Sequence, residues 1–106
     1  MQEVFDKSFQ SEKLPIDKPS VICFSAPWSE PGQQSLSTLK GLEDIYKSHL
    51  HFFCMNVDEN ANVPAELGVK TLPTIIIWHK GAIKETLAGQ HEKRKIRIFI
   101  ESFASS

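Results

Sequence analysis

The chain has 106 residues, of which 41% are hydrophobic, which is enough to fill one core of ordinary domain size and too little for two. Twelve Lys and Arg against thirteen Asp and Glu give a formal net charge of −1, and such a balance is not expected in a nucleic-acid binder. The longest apolar run, Ile75 to Trp78, is far shorter than the roughly 20 residues of a membrane span. We therefore expect one domain over residues 1–106, with neither nucleic acid nor membrane as partner.

The two cysteines, Cys23 and Cys54, each lie inside an apolar, β-branched stretch. A secreted disulfide scaffold would carry more cysteines, placed in loops. The first seven residues also lack the pattern of an export signal. These features favour a cytoplasmic protein whose cysteines are small buried hydrophobic residues.

The first half of the chain predicts two strands and two helices. Glu3–Phe5 is a brief edge strand, and Asp6 to Leu14 form a short helix that Pro15 stops. The apolar run Ser20–Ser25 is typical of a central strand covered on both faces. After a loop over 26–31, a helix over about 32–48 buries a stripe of apolar residues: Leu36, Leu39, Leu42, Ile45, Tyr46 and Leu50.

The second half predicts a buried strand, His51–Val57, and a short helix, Pro64–Leu67, closed by Gly68. Two further strands, Thr74–His79 and Ala82–Leu87, are joined by a two-residue turn at Lys80-Gly81. A last helix over about 92–103 buries one face and leaves Ile98 exposed; the buried residues are Ile96, Phe99, Ile100 and Phe103.

Several landmarks occur in the order and near the spacing found in thioredoxins. Trp28 and Pro31 match the WCGPC active-site segment of that family, and Asn56-Val57-Asp58 matches its third strand and turn. The segment from Gly68 to Thr74 is similar to the stretch around the family's cis-proline, here Leu72-Pro73. The chain thus resembles thioredoxin along essentially its whole length. The resemblance implies an α/β thioredoxin fold, with a mixed five-stranded sheet, a short first edge strand and helices on both faces.

The chain departs from thioredoxin at the two thiols, because it has Ser29-Glu30-Pro31-Gly32 where the family has Cys-Gly-Pro-Cys. Disulfide exchange needs a nucleophilic thiolate and a second thiol that releases the product. A serine hydroxyl cannot replace the first thiol, and Gly32 has no side chain to replace the second. Ser29 is instead predicted to cap the long helix, and Glu30 suits the positive end of its dipole. No catalytic residue is expected at Ser29 or Gly32.

In the family, the residues around the active site form a shallow groove for an extended substrate segment. The resemblance carries this groove to Trp28, Ser29, Glu30, Pro31, Leu72, Pro73 and Gly89. A protein or peptide segment is therefore the expected partner, and no cofactor is needed. The four histidines show no metal-ligand spacing, so no metal is expected.

The resemblance also places the two cysteines beneath the active site. Cys23 stands where thioredoxins keep a buried acid, and Cys54 where many carry a lysine on the adjacent strand. We expect two buried, free thiols there, because disulfide geometry is demanding.

The leading hypothesis from the sequence is a redox-inactive, thioredoxin-like binding module that is not an enzyme. The competing hypothesis is a thiol–disulfide oxidoreductase, either with its dithiol replaced by engineering at Ser29 and Gly32 or with Cys23 or Cys54 as its thiol. A third is an adaptor subunit of a larger assembly. The sequence names neither the partner nor an oligomeric state.

Overall fold

The computed structural model describes residues 1–10 and 14–104, in which helices and strands alternate along most of the chain. In chain order they are β1 (Gln2–Glu3), α1 (Asp6–Gln10), β2 (Ser20–Ser25), α2 (Glu30–Tyr46), β3 (His51–Asn56), α3 (Asn62–Glu66), β4 (Thr74–His79), β5 (Ala82–Ala88) and α4 (Lys93–Ala104).

The five strands form one mixed sheet in the order β1-β3-β2-β4-β5. β1, β3 and β2 run parallel to one another, whereas β4 pairs antiparallel with both β2 and β5. A parallel pair needs a long crossover, and α2 supplies it between β2 and β3. The turn between β4 and β5 has positive φ at both Lys80 and Gly81, as a tight hairpin requires. The predicted α/β class and mixed five-stranded sheet are confirmed.

The core lies on both faces of the sheet because successive side chains of a strand point in opposite directions. Val21 and Cys23 of β2 pack on the face covered by α2 and α4, which bury Leu39 and Ile96 there. The intervening residues of β2, Ile22 and Phe24, pack on the opposite face, where α1 and α3 bring Phe9 and Val63. Every residue of β2 is buried, as its continuous apolar run predicts.

Some boundaries differ from the sequence-based expectations. β1 covers Gln2–Glu3 instead of Glu3–Phe5, and α1 ends at Gln10; the rest of the predicted helix includes residues 11–13, which lie outside the described residues. α2 begins at Glu30 instead of residue 32, because Ser29 caps it and Pro31 is accepted in a first helical turn.

Two exposed isoleucines test the predicted helix faces. Ile98 is 53% exposed, as its position off the apolar stripe predicts. Ile45 was expected in the core and is 63% exposed. Leu39 and Leu42 point to the sheet about 60° apart, and Ile45 lies a further 60° around the helix, beyond the edge of the contact.

Within residues 1–10 and 14–104, none of the helices has the length and apolar character that crossing a bilayer would take.

Candidate functional site

The tip of α2 is built around the hydroxyl of Ser29. This residue has an extended conformation, with φ −90° and ψ 104°, and its Oγ accepts a hydrogen bond from the Gly32 N–H at 3.1 Å. Its own N–H donates to the Ala26 carbonyl at 3.0 Å, and only 5% of its surface is exposed. The predicted capping role of Ser29 is confirmed. Glu30 is exposed at the start of the helix, and Pro31 is partly buried.

A second hydroxyl occupies the space beside Gly32. A Cβ added to Gly32 would lie 2.1 Å from Ser25 Oγ, 3.0 Å from Ser29 Oγ and 3.1 Å from Ser25 Cβ. Ser25 is the last residue of β2 and is 2% exposed, and because its Cβ is also close, rotating the hydroxyl away would not fully clear the space. At the tip, two serine side chains therefore fill the volume into which any side chain of residue 32 would extend.

The groove residues are positioned by contacts on two sides of the tip. Trp28 is 71% exposed, and its indole N–H donates to Asp58 Oδ1 at 3.0 Å, so the ring is tied to the turn after β3. The Leu72-Pro73 peptide bond is cis. The Gly89 N–H donates to the Pro73 carbonyl at 2.8 Å, which brings these two residues together. Binding of a partner segment across these residues stays a prediction.

The two cysteines lie side by side on neighbouring parallel strands. Cys23 of β2 is the register partner of Cys54 of β3, so the two side chains project from the same face of the sheet. Both are free thiols. Cys23 is fully buried, whereas Cys54 is partly exposed, which corrects the expectation that both thiols are buried. The reason is that β3 is covered on its outer side only by the two-residue strand β1.

The two thiols differ in how firmly they hold their protons. Burial raises the pKa of Cys23 to about 12, and the neighbouring Cys54 contributes to the rise. Burial also raises the pKa of Cys54, and the Glu3 carboxylate raises it further, while the Met1 amino group and Lys40 act in the opposite direction. Cys54 is therefore the more accessible of two thiols that are both largely protonated at neutral pH.

A cavity of about 200 Å³ lies against Cys54. It opens between the edge of the sheet and α2, and its other lining residues are Glu3, Ser25, Ala26, Leu36, Met55 and Asn56. Ser25 thus lies between the two parts of the site, because it lines the Cys54 cavity and also touches the position of Gly32. Among the described residues, no group of three or more His, Cys, Asp or Glu side chains has the arrangement of a metal site.

Three residues of this region were missed from the sequence. Asp58 belongs to the Asn56-Val57-Asp58 segment already noted in the sequence. Its hydrogen bond from Trp28 joins residues 30 positions apart, so no local pattern predicts it. Ser25 lies two residues after Cys23 on the same strand, and this spacing already predicts that the two side chains share a face of the sheet. Glu3 reaches Cys54 only through the pairing of β1 with β3, and sequence alone gives no register for so short a strand.

A family model for thioredoxin matches residues 1–102 of the chain. A thioredoxin from Rickettsia bellii is 31% identical over 99 residues, which cover 93% of this chain and 94% of that protein. One from Rhodospirillum rubrum is 30% identical over 102 residues, covering 96% and 98%. A chloroplastic M-type thioredoxin of Brassica napus is 33% identical over 100 residues, covering 94% of this chain and 56% of that protein.

These findings correct the hypothesis of a redox-inactive binding module. Relatives that carry the name thioredoxin match the chain along most of its length at about 30% identity, and they favour the competing hypothesis of a thiol–disulfide oxidoreductase. The expectation that the chain is not an enzyme has no support among them. Ser29-Glu30-Pro31-Gly32 nevertheless stands where the family has its dithiol.

Proposed function

We propose that this chain, which belongs to the thioredoxin family, is a thiol–disulfide oxidoreductase in which Cys54 is the attacking thiol and Cys23 the resolving one. The observation that carries the proposal is the pairing of these two residues in register on parallel strands. They are the only two cysteines in the sequence, and the structure places them next to each other.

The spacing of neighbouring strands suits a reversible disulfide between them. Adjacent strands lie about 4.8 Å apart, and disulfides join residues whose Cα atoms are about 4.4–6.8 Å apart. Because Cys23 and Cys54 project from the same face, closing the bond needs side-chain rotation and little backbone movement. The pair is therefore suited to cycle between dithiol and disulfide.

The first step is attack by Cys54. Its thiolate forms a bond to one sulfur of a substrate disulfide, the substrate S–S bond breaks, and the other substrate sulfur leaves as a thiolate that takes up a proton. Cys54 is suited to this step because it is partly exposed at the edge of a cavity. Its raised pKa makes the thiolate scarce at neutral pH but more nucleophilic when it forms.

The second step is attack by Cys23 on the Cys54 sulfur. The mixed disulfide breaks, the remaining substrate sulfur leaves as a thiol with the proton from Cys23, and a Cys23–Cys54 disulfide forms. Burial, the larger cause of the raised pKa of Cys23, persists in the mixed disulfide, but the smaller cause, the negative charge of the Cys54 thiolate, does not. Two electrons and two protons pass to the substrate, and an external dithiol returns them.

The substrate that we propose is a disulfide carried by a protein or peptide segment. Its docking surface would be the groove predicted at Trp28, Ser29, Glu30, Pro31, Leu72, Pro73 and Gly89. The exposed Trp28 ring and the junction of Pro73 with Gly89 support this assignment. The exchange itself requires no cofactor, and a reducing compartment such as the cytoplasm would supply the dithiol.

The test is reduction of a neutral disulfide, bis(2-hydroxyethyl) disulfide, with dithiothreitol as the final reductant. We expect the wild-type protein to accelerate the reaction and Cys54→Ser to reduce the rate to that of dithiothreitol alone. Cys23→Ser should complete only the first step without added reductant, and a mixed disulfide at Cys54 should accumulate in the intact mass. Ser37→Ala, at an exposed position of α2 outside both the groove and the cavity, is the matched control and should leave the exchange unchanged. A Cys54→Ser protein as active as wild type would refute the proposal.

A further inference from the structure

The cavity beside Cys54 has an acidic rim formed by Glu3. Glu3 of β1 is the register partner of Cys54 of β3, so both side chains project from one face, and both line the cavity of about 200 Å³. The pairing is fixed by the backbone, because the Val4 N–H donates to the Cys54 carbonyl at 2.9 Å. A carboxylate is thus held next to the sulfur that attacks the substrate.

The positive groups near Cys54, the Met1 amino group and Lys40, act against this carboxylate, but neither residue lines the cavity. Glu43 is also negative, and it forms an ion pair with the Met1 amino group at 2.8 Å. Lys40 is exposed on α2 and does not line the cavity. Among these groups Glu3 has the largest charge effect on the Cys54 thiol, and the effect is in the direction that a nearby negative charge produces.

We infer that Glu3 makes the Cys54 cavity selective for disulfides that carry a positively charged group next to the sulfur. This inference rests on the proposed exchange at Cys54 and adds the charge class of its substrate. A cavity of about 200 Å³ is smaller than the roughly 300–1,000 Å³ of sites for drug-sized ligands, so it holds one short substituent. An ammonium group in that position would be attracted by Glu3, and a carboxylate would be repelled.

The expected effect is about tenfold. For unit charges about 6 Å apart in a water-like medium, attraction raises the rate about threefold and repulsion lowers it about threefold. The two factors multiply when a cationic substrate is compared with an anionic one. The preference should largely disappear at 1 M salt, where the screening length falls to about 3 Å.

The experiment uses three probes of similar size: cystamine, bis(2-hydroxyethyl) disulfide and 3,3′-dithiodipropionate. Rates of mixed-disulfide formation at Cys54 are followed by intact mass in the Cys23→Ser background at one pH and low salt. For each protein, the rate with cystamine is divided by the rate with dithiodipropionate. The ratio for the protein that keeps Glu3 is then divided by the ratio for Glu3→Gln. This division cancels the intrinsic reactivity of the probes and any change in the thiolate fraction.

We expect this quotient to be about ten for the wild-type cavity. It should also be about ten when the ratio measured for Glu85→Gln replaces the wild-type ratio. Glu85 is exposed on β5, at the opposite edge of the sheet, and is the matched control. A quotient near one, with normal reaction of the neutral probe, overturns the inference and leaves the proposed exchange intact. Failure of every probe to react at Cys54 overturns both.

Discussion

The tip of α2 and the sulfur pair beneath it occupy neighbouring parts of one fold but have opposite chemical character. At the tip, Ser29 and Ser25 place two hydroxyls around Gly32, and the Ser29 hydroxyl is used to cap the helix. Below it, Cys23 and Cys54 lie in register on β2 and β3, with no salt bridge or hydrogen bond assigned to either sulfur within the described residues.

The difference shows that a fold can retain the position of a reactive site while the reactive atoms stand elsewhere. The start of α2 would lower the pKa of a thiol placed there, but the side chains at that point, Ser29 and Ser25, carry hydroxyls. The two thiols that the chain does have lie in surroundings that raise their pKa values. In the proposed exchange the thiols react slowly, because Cys23 is buried, Cys54 is only partly exposed and both pKa values are raised. The predictions below test each side of this contrast.

The largest expected effect concerns Cys23 at alkaline pH. Its folded pKa of about 12 lies above the ordinary value of 9.0, so the folded thiol keeps its proton after the unfolded one has lost it. Its contribution to stability is therefore complete below pH 9 and is lost as the pH rises from 9 towards 12. At about 1.4 kcal/mol per unit, the loss reaches about 3 kcal/mol at pH 11 and approaches roughly 4 kcal/mol at pH 12.

Urea denaturation of wild type and Cys23→Val, at intervals from pH 8 to pH 11, measures this loss. Other ionisations are common to both proteins and cancel in the difference between their free energies of unfolding. We expect that difference to shift steadily in favour of Cys23→Val above pH 9. A difference that does not depend on pH would show that Cys23 is not held protonated by burial.

The next effect concerns Gly32. Gly32→Ala should destabilise the fold by about 1–3 kcal/mol, because the new Cβ would lie 2.1 Å from Ser25 Oγ, and this overcrowding outweighs the better helix propensity of alanine. Gly41→Ala, in the same helix with no atom within 4 Å of its added Cβ, is the control and should stabilise by about 1 kcal/mol.

A double-mutant cycle with Ser25→Gly sharpens this test. Removing the Ser25 side chain should remove most of the penalty of Gly32→Ala, so the two changes should be strongly non-additive. Additive effects would mean that Ser25 does not fill the space beside residue 32. The same crowding implies that restoring two cysteines at residues 29 and 32 requires a change at Ser25 as well.

The pH dependence of exchange tests the sulfur side directly. Because the pKa of Cys54 is raised, its thiolate fraction and its reaction with bis(2-hydroxyethyl) disulfide should rise about tenfold per pH unit from pH 7 to pH 9. The rate for Glu3→Gln should level off at a lower pH, since one cause of the raised pKa of Cys54 is removed. A rate that is already constant at pH 7.5 would identify an activated thiolate and contradict the assigned environment.

The smallest effect concerns the cap. Ser29→Ala should reduce the free energy of unfolding by about 1 kcal/mol, because it removes the hydrogen bond that the Gly32 N–H donates to Ser29 Oγ. Ser29→Thr keeps the hydroxyl and should retain most of the stability in the same denaturation experiment. A change in the rate of exchange at Cys54 in Ser29→Ala would instead give the tip a chemical role.

Local sequence patterns predicted most of the helices and strands, whereas the mixed five-stranded sheet was implied by the resemblance to thioredoxin. The unbroken apolar run of β2 follows from burial on both faces, and Ile98 is exposed because it lies off the 3.6-residue stripe of α4. Both are short-range rules that a sequence displays directly. The misplacement of Ile45 marks their limit, because the width of a helix contact depends on the surface against which the helix packs.

The absence of the tip thiols and the capping role of Ser29 could also be read from residue identity and order. The neighbours of Cys54 could not, because its accessibility and its closeness to Glu3 depend on how far β1 extends along β3. Likewise, the contact between Ser25 and the position of Gly32 arises where a strand end meets a helix start. Such contacts join backbone segments through tertiary packing, and only the folded arrangement fixes the distances on which their chemistry depends.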